Sequence, residues 1–328
     1  MTAMGWFITA DVGEFLAEAG EFLRAEPARN SVVLTVTENL RITAATGSPA
    51  AVPGSGPDEP LFGWWRPPAV PGTGSAGPAG AVGAVGSVFM HTPEFPVLLS
   101  SRMSGQAAAA LARDLAAAGR QVLGINAGQE AADRFAAAWR DRTGDAVTVY
   151  RRMRLFRLGE LIRPLPGPEG AARLAAERDR DLLAGWFDAF AREVGDPPRH
   201  VNLAAVDERL GYRGLTLWEA DGVSVSLAGL TRTVAGMVRV GPVYTPPELR
   251  GRGYASAATV TVSQAALNAG VREVVLYTDL ANPTSNALYQ RLGYCPVEDR
   301  VVFSFSRARR GLRFTRERTR GLCPAGRW

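Results

Sequence analysis

Apolar positions recur at every third or fourth residue over 12–24, 31–40, 105–118 and 129–140, a spacing that predicts four amphipathic helices in the first half of the chain. Short apolar runs near 61–65, 83–91, 96–100 and 121–126 predict strands between them. The second half opens on a longer amphipathic stretch, 169–194, in which Leu182, Leu183, Trp186, Phe187 and Phe190 keep helical spacing until Gly195 and two prolines end it. Three β-branched, apolar runs follow at 214–220, 223–234 and 237–244. Asp221-Gly222 and Ala235-Gly236 join them, as in an antiparallel meander. Residues 254–269 predict a helix closed by Gly270, 273–278 a strand, 283–292 a second helix and 300–305 a closing strand. That second helix carries its own punctuation: Asn282 as N-cap, Pro283 at the first position and Gly293 just past the end.

Each half thus runs through strands, a helix, a strand and a helix in the same order. A chain of 328 residues can bury two cores of ordinary size. Residues 1–152 and 153–305 are the expected domains, with the junction in the region 150–168 and a basic tail at 306–328 expected to be disordered. The Gly/Pro/Ala stretch at 67–83 reads as a hairpin loop or insertion. Gly241-Pro242 interrupts the third strand of the meander. Proline cannot donate to a ladder and glycine there marks a bulge, so the sheet is expected to part at this point.

The candidate chemistry follows directly. Residues 240–256 read VGPVYTPPELRGRGYAS, a strand, a proline stop and a glycine-rich turn into a helix. Glycines that adopt positive φ let successive amides converge at a helix N-terminus, which suits a pyrophosphate. Arg250-x-x-Gly253-x-Ala255 resembles the acyl-CoA signature (Gln/Arg)-x-x-Gly-x-(Gly/Ala) of the GNAT superfamily of N-acyltransferases. The later segment NPTSNALYQRLGY, with Asn282, Ser285, Leu288, Tyr289, Gly293 and Tyr294, resembles the family's Asn-x-x-(Ala/Ser)-x-x-Leu-Tyr…Gly-Phe block.

The resemblance covers about residues 156–305 and implies an α/β (α+β) fold of tandem GNAT-like domains: a mixed, mostly antiparallel sheet flanked by helices, with a splayed strand pair for coenzyme A. It implies that Val243, Tyr244 and Thr245 hold the pantetheine arm. Arg250, Gly251, Arg252, Gly253, Tyr254, Ala255 and Ser256 form the phosphate cradle. Asn282, Ser285 and Tyr289 complete the coenzyme site. The two-domain plan resembles glycine N-acyltransferases and, more distantly, mycothiol synthase. The first half reads as a degenerate GNAT-like domain, with chance similarity as the rival. His91-Thr92-Pro93-Glu94 is similar to Tyr244-Thr245-Pro246-Pro247-Glu248 but lacks the glycines after it.

Composition narrows the alternatives. The chain has net charge +5, but eight arginines against Glu317 put +7 in the tail after Ser306 and leave −2 for the rest, so a nucleic-acid partner is not expected. Two cysteines, Cys295 and Cys323, and two isolated histidines, His91 and His200, suggest neither a disulfide framework nor a metal. The absence of a signal-like start or a membrane-spanning run points to the cytoplasm and away from membranes; an oligomer is left open.

Acyl transfer to an amine needs a neutral amine and a proton for the departing thiolate. A phenol is protonated at neutral pH, and the resemblance makes Tyr289 that donor. No carboxylate stands out as a base on the central strands, which carry Thr231, Arg232, Thr233 and Arg239; Glu219 and Asp279 are the nearest candidates. The expected function is an acetyl-CoA-dependent N-acetyltransferase for a small-molecule or amino-acid-like amine acceptor. The alternative is a non-catalytic acyl-CoA-binding sensor or scaffold.

Overall fold

The computed structural model describes residues 5–46, 59–68, 84–195 and 202–307. The Gly/Pro/Ala stretch at 69–83 and the arginine-rich tail after 307 lie outside them. The first half runs β1 (Gly5–Thr9), α1 (Val12–Ala25), α2 (Ser31–Thr46), β2 (Leu61–Arg66), β3 (Ser87–His91), β4 (Val97–Leu99), α3 (Gly105–Ala117), β5 (Gly124–Gly128), α4 (Gln129–Thr143) and β6 (Ala146–Leu158). The second half runs β7 (Ala171–Leu174), α5 (Arg180–Glu193), α6 (Asn202–Gly211), β8 (Leu215–Ala220), β9 (Val223–Leu230), β10 (Met237–Tyr244), α7 (Tyr254–Asn268), β11 (Glu273–Asp279), α8 (Pro283–Arg291) and β12 (Tyr294–Ser306).

All of these strands join one mixed sheet in the order β1-β2-β3-β4-β5-β12-β6-β11-β10-β9-β8-β7. Its pairs are antiparallel except β4 with β5 and β10 with β11. The order is nearly palindromic about its centre, because each half places strands, a helix and a parallel strand in the same sequence. The two central strands are exchanged. β6 ends the first half yet pairs with β11, and β12 ends the second half yet pairs with β5. β6 and β12 pair with each other along almost their whole lengths, from Tyr294 opposite Leu158 to Ser306 opposite Ala146.

Several expectations change here. The stretch 169–194 is not one helix: β7 occupies Ala171–Leu174, and only after a single 3-10 turn at Glu177–Asp179 does α5 begin. Asp179 explains the break, since it accepts the Ala176 amide at 2.8 Å and both outer nitrogens of Arg173 at 2.6 and 2.8 Å, tying the edge strand to the helix start. β6 was unpredicted because its arginines mask the period-2 pattern, and β12 begins at Tyr294 rather than 300. The segment matched to Tyr244–Glu248 is also corrected. His91 ends β3, so the counterpart of the β10–α7 turn is the link 100–104 between β4 and α3.

The core lies on both faces. α3 and α4 bury Leu111, Phe135 and Trp139 against Val301, Phe303 and Phe305 of β12. α1 and α2 bury Phe15, Leu23 and Leu34 in a cluster that reaches Leu155, Met237 and Val275, so helices of the first half cover strands of the second. α7 packs Ala258, Val262 and Ala266 on the opposite face, against Phe156, Val238, Val240 and Leu276. Small residues on that helix face allow a close approach to the sheet.

Candidate active site

β10 and β11 pair only through Met237–Arg239 against Glu273–Val275, although β10 continues to Tyr244 and β11 to Asp279. On its other edge, the register of β10 with β9 shifts between Val240 and Val243, where Gly241-Pro242 predicts a bulge. A wedge therefore opens between β10 and β11, and the free edge of β10 beyond Arg239 runs into the glycine turn. Ser226 Oγ donates to the Tyr244 carbonyl at 3.1 Å and lies 2.8 Å from Thr245 Oγ1, which fixes the strand end.

A 3-10 turn at Pro247–Leu249 leads to Gly251 and Gly253 at φ +78° and +84°. Gly253 is the N-cap of α7. Its left-handed conformation, unfavourable for any residue with a Cβ, starts the helix without a side-chain cap. No amide of residues 251–256 donates to a backbone carbonyl among the described residues. These unpaired donors converge on the positive end of the helix dipole.

Arg250 faces the turn itself. Its Nε donates to the Thr245 carbonyl at 2.8 Å, its Nη2 to Glu193 at 2.5 Å, and its guanidinium lies 5.9 Å from the Tyr244 ring centre. It braces the link between the strand end and the nest. Arg252 is exposed, and Tyr254, Ala255 and Ser256 form the half-buried first turn of α7.

The second motif builds α8 at the end of β11, the other side of the wedge. Asn282 Oδ1 accepts the Ser285 amide at 3.0 Å, an N-cap worth about 1 kcal/mol. Asn286, not singled out from the sequence, is the stronger tie. Its Oδ1 accepts from Thr278 Oγ1 at 2.7 Å, and its Nδ2 donates to the carbonyls of Asp279 and Asn282 at 2.8 and 2.7 Å. Its signal was a polar residue one step beyond the cap motif. Tyr289 packs edge-on against Tyr294, with ring centres 5.9 Å apart. Burial pushes the Tyr289 phenol well above its ordinary pKa, and the neighbouring Tyr294 adds to the shift. Tyr294 donates to or accepts from Ser263 at 2.7 Å, whereas the Tyr289 hydroxyl makes no hydrogen bond among the described residues.

Neither candidate base is free. Glu219 accepts from Arg173 Nε at 2.7 Å, and Asp279 accepts the Ala281 amide at 2.8 Å with Arg151 Nε 3.9 Å away. Among the described residues no three His, Cys, Asp or Glu side chains gather, and no helix is long and apolar enough to cross a membrane.

The matching positions in the first half are filled by side chains. Ser104 Oγ caps α3 by accepting the Ala107 amide at 3.1 Å. Arg300, buried on β12, donates to the carbonyls of Leu99 and Asn126, both at 2.9 Å, bridging β4 and β5 where the second half has its wedge.

Residues 176–294 match the sequence model of the acetyltransferase (GNAT) family. Residues 176–294 form a GNAT domain. No curated protein matches the chain. Among solved structures it is similar to a Drosophila protein, at 12% identity and TM-score 0.61, covering 93% of this chain and 99% of that one. It is also similar to a GCN5-related N-acetyltransferase from Sphaerobacter thermophilus, at 17% identity and TM-score 0.53, covering 91% and 94%. An acetyltransferase of the GNAT family from Colwellia psychrerythraea shares 10% identity at TM-score 0.53, covering 92% and 98%. At these identities the likeness is one of fold, and it extends over both halves. The GNAT domain carries with it acyl-CoA-dependent acetyl transfer as the general activity of its family.

Proposed function

We propose that the chain is an acetyl-CoA-dependent N-acetyltransferase of the cytoplasm acting on a small-molecule amine, with one coenzyme site, in its GNAT domain. The observation that carries this reading is the row of unpaired amides at residues 251–256, set by Gly253 at the mouth of the wedge between β10 and β11. The residues fit a pyrophosphate followed by an extended arm: donors without partners, then a strand edge without a neighbour.

Bound acetyl-CoA supplies an activated acyl thioester. The amides of 251–256 would hold its phosphates, with Arg252 adding charge and Arg250 keeping the turn rigid. The free edge near Val243 and Thr245 would hold the arm, and Asn282, Ser285 and Asn286 would orient α8. Tyr289 would keep a proton at its hydroxyl for the leaving thiol, a role suited to a phenol whose pKa burial raises. With Glu219 and Asp279 both engaged, the amine would lose its proton to water, which an amine of pKa about 8 allows. The first half would complete the acceptor side, its own wedge being closed by Arg300.

Engaged carboxylates also favour a second reading, a protein that binds acyl-CoA without turnover. Calorimetry with coenzyme A and thiol release from acetyl-CoA over an amine panel separate the two. Binding at one site with release supports the enzyme; binding without release supports the sensor; no binding removes both.

A further inference from the structure

The face of the wedge opposite α7 holds an arginine with no carboxylate partner among the described residues. Val238 and Val240 point toward α7, so strand alternation sends Arg239 to the other face with Met237. Arg239 lies opposite Val275, the last pair before β10 and β11 part, and Tyr277 follows two residues on along β11. Its Nη1 is closed off from solvent with no hydrogen-bond partner among the described residues.

Two more guanidinium groups, Arg209 and Arg232, share the surroundings of Tyr212 with it. Arg209, in the last turn of α6, lies 5.5 Å from the Phe187 ring centre, and its buried Nε has no partner. Arg232 stacks 4.3 Å over the Tyr212 ring, and its Nε makes no hydrogen bond but forms an ion pair with Glu208 at 3.7 Å. Tyr212 spends its hydroxyl on the Leu230 carbonyl at 3.0 Å. Desolvation holds the Arg239 pKa below that of an ordinary arginine, Tyr277 and Tyr212 oppose the shift, and the charge of Arg209 adds to it. A buried guanidinium beside a second one, with neither carrying a carboxylate among the described residues, is costly unless an anion completes it.

Ser31 Oγ lies 3.5 Å from the Tyr277 hydroxyl, so the start of α2 reaches the same face. α7 covers the other face of the wedge, whereas this one is shared by α1 and α2 and the groups around Arg239, and it is the face taken here for the acceptor. We propose that the acceptor carries a carboxylate near its amine, and that Arg239, with Arg209 beside it, is the group that binds it. This rests on the acetyltransferase reading above and names the substrate class of that site.

Two measurements on the full chain test it. Succinate should raise the wild-type Tm above the effect of succinamide at matched ionic strength. Arg239→Met should erase that difference and raise the Tm of the ligand-free protein, because it removes an uncompensated charge; Arg209→Met should reduce the difference. In thiol-release assays, amino acids should exceed their amides at least tenfold in kcat/KM, and Arg239→Met should bring the ratio toward one with coenzyme A affinity unchanged. Equal stabilisation by succinate and succinamide, or amides turned over as well as acids, would overturn the proposal. Failure of the wild type to bind coenzyme A would sink the acetyltransferase reading instead, and the succinate comparison would still decide whether Arg239 binds a carboxylate.

Discussion

Arg300 Nη2 donates to the carbonyl oxygen of Leu99 at 2.9 Å, just past the last paired residues of β4 and β5. The same guanidinium reaches the Asn126 carbonyl and side chain and lies 3.5 Å from Glu298, which itself accepts from Ser101. A side chain of the second half thus closes the first half's strand gap. Arg300→Met should lower stability by about 2–3 kcal/mol, since it strands the buried carbonyls of Leu99 and Asn126 and the Asn126 side chain, while Glu298 keeps Ser101 and Arg29. Urea unfolding measures it. A change within about 0.5 kcal/mol would mean that the gap is closed by the strands alone.

The exchange of β6 and β12 makes separate unfolding of the halves improbable on physical grounds, because either strand is lost to both when one half opens. A single thermal transition is expected, coincident by calorimetry and circular dichroism. Two resolved transitions would count against it.

Gly253→Asp should abolish coenzyme A binding and leave the fold intact. It puts a Cβ at φ +84°, costing about 1 kcal/mol, and a negative charge beside the open amides. A Cβ there would meet only Pro168, at an ordinary 3.7 Å, so gross misfolding is not expected. Calorimetry on the folded variant is the check; unchanged affinity would place the cradle elsewhere.

Tyr289→Phe should lower kcat by roughly tenfold to a thousandfold with little change in coenzyme A affinity, because the lost donor matters chiefly in the transition state. Burial raises the pKa of this phenol, so the folded state holds the proton more tightly than the unfolded chain. The donor should therefore stay protonated, with no loss of kcat from its ionisation below about pH 10. An alkaline limb that vanishes in the Phe variant would contradict this.

Asp179 joins β7 to α5, and hydrogen bonds from Arg173 hold its pKa below the ordinary carboxylate range. A depressed pKa stabilises the fold above the unfolded value of about 3.9, and that contribution is lost as pH falls through the lower folded value. Asp179→Asn should lower Tm at pH 7, with the deficit shrinking below about pH 4. A deficit independent of pH would assign the loss to packing.

The sequence alone determined the local chemistry of the chain. Gly251 and Gly253 before α7, Asn282-Pro283 before α8 and the Gly241-Pro242 break in β10 act through φ, caps and missing donors, which are properties of adjacent residues and readable from them. It also carried the repeated order of elements in the two halves. Only the tertiary structure decided which half owns which strand: β6 hides its pairing behind arginines, and its partners β11 and β12 are remote in sequence. The same holds for Asp179, which ends a helical pattern through a contact with Arg173, and for Arg300, whose buried partners Leu99 and Asn126 come from the other half. Arg209, Arg232 and Arg239 read as three unrelated basic residues until strand alternation and the packing of α6 bring them to one face. Hydrophobic period and turn chemistry are short-range signals, whereas strand exchange and charge convergence depend on contacts that form only when the chain is packed.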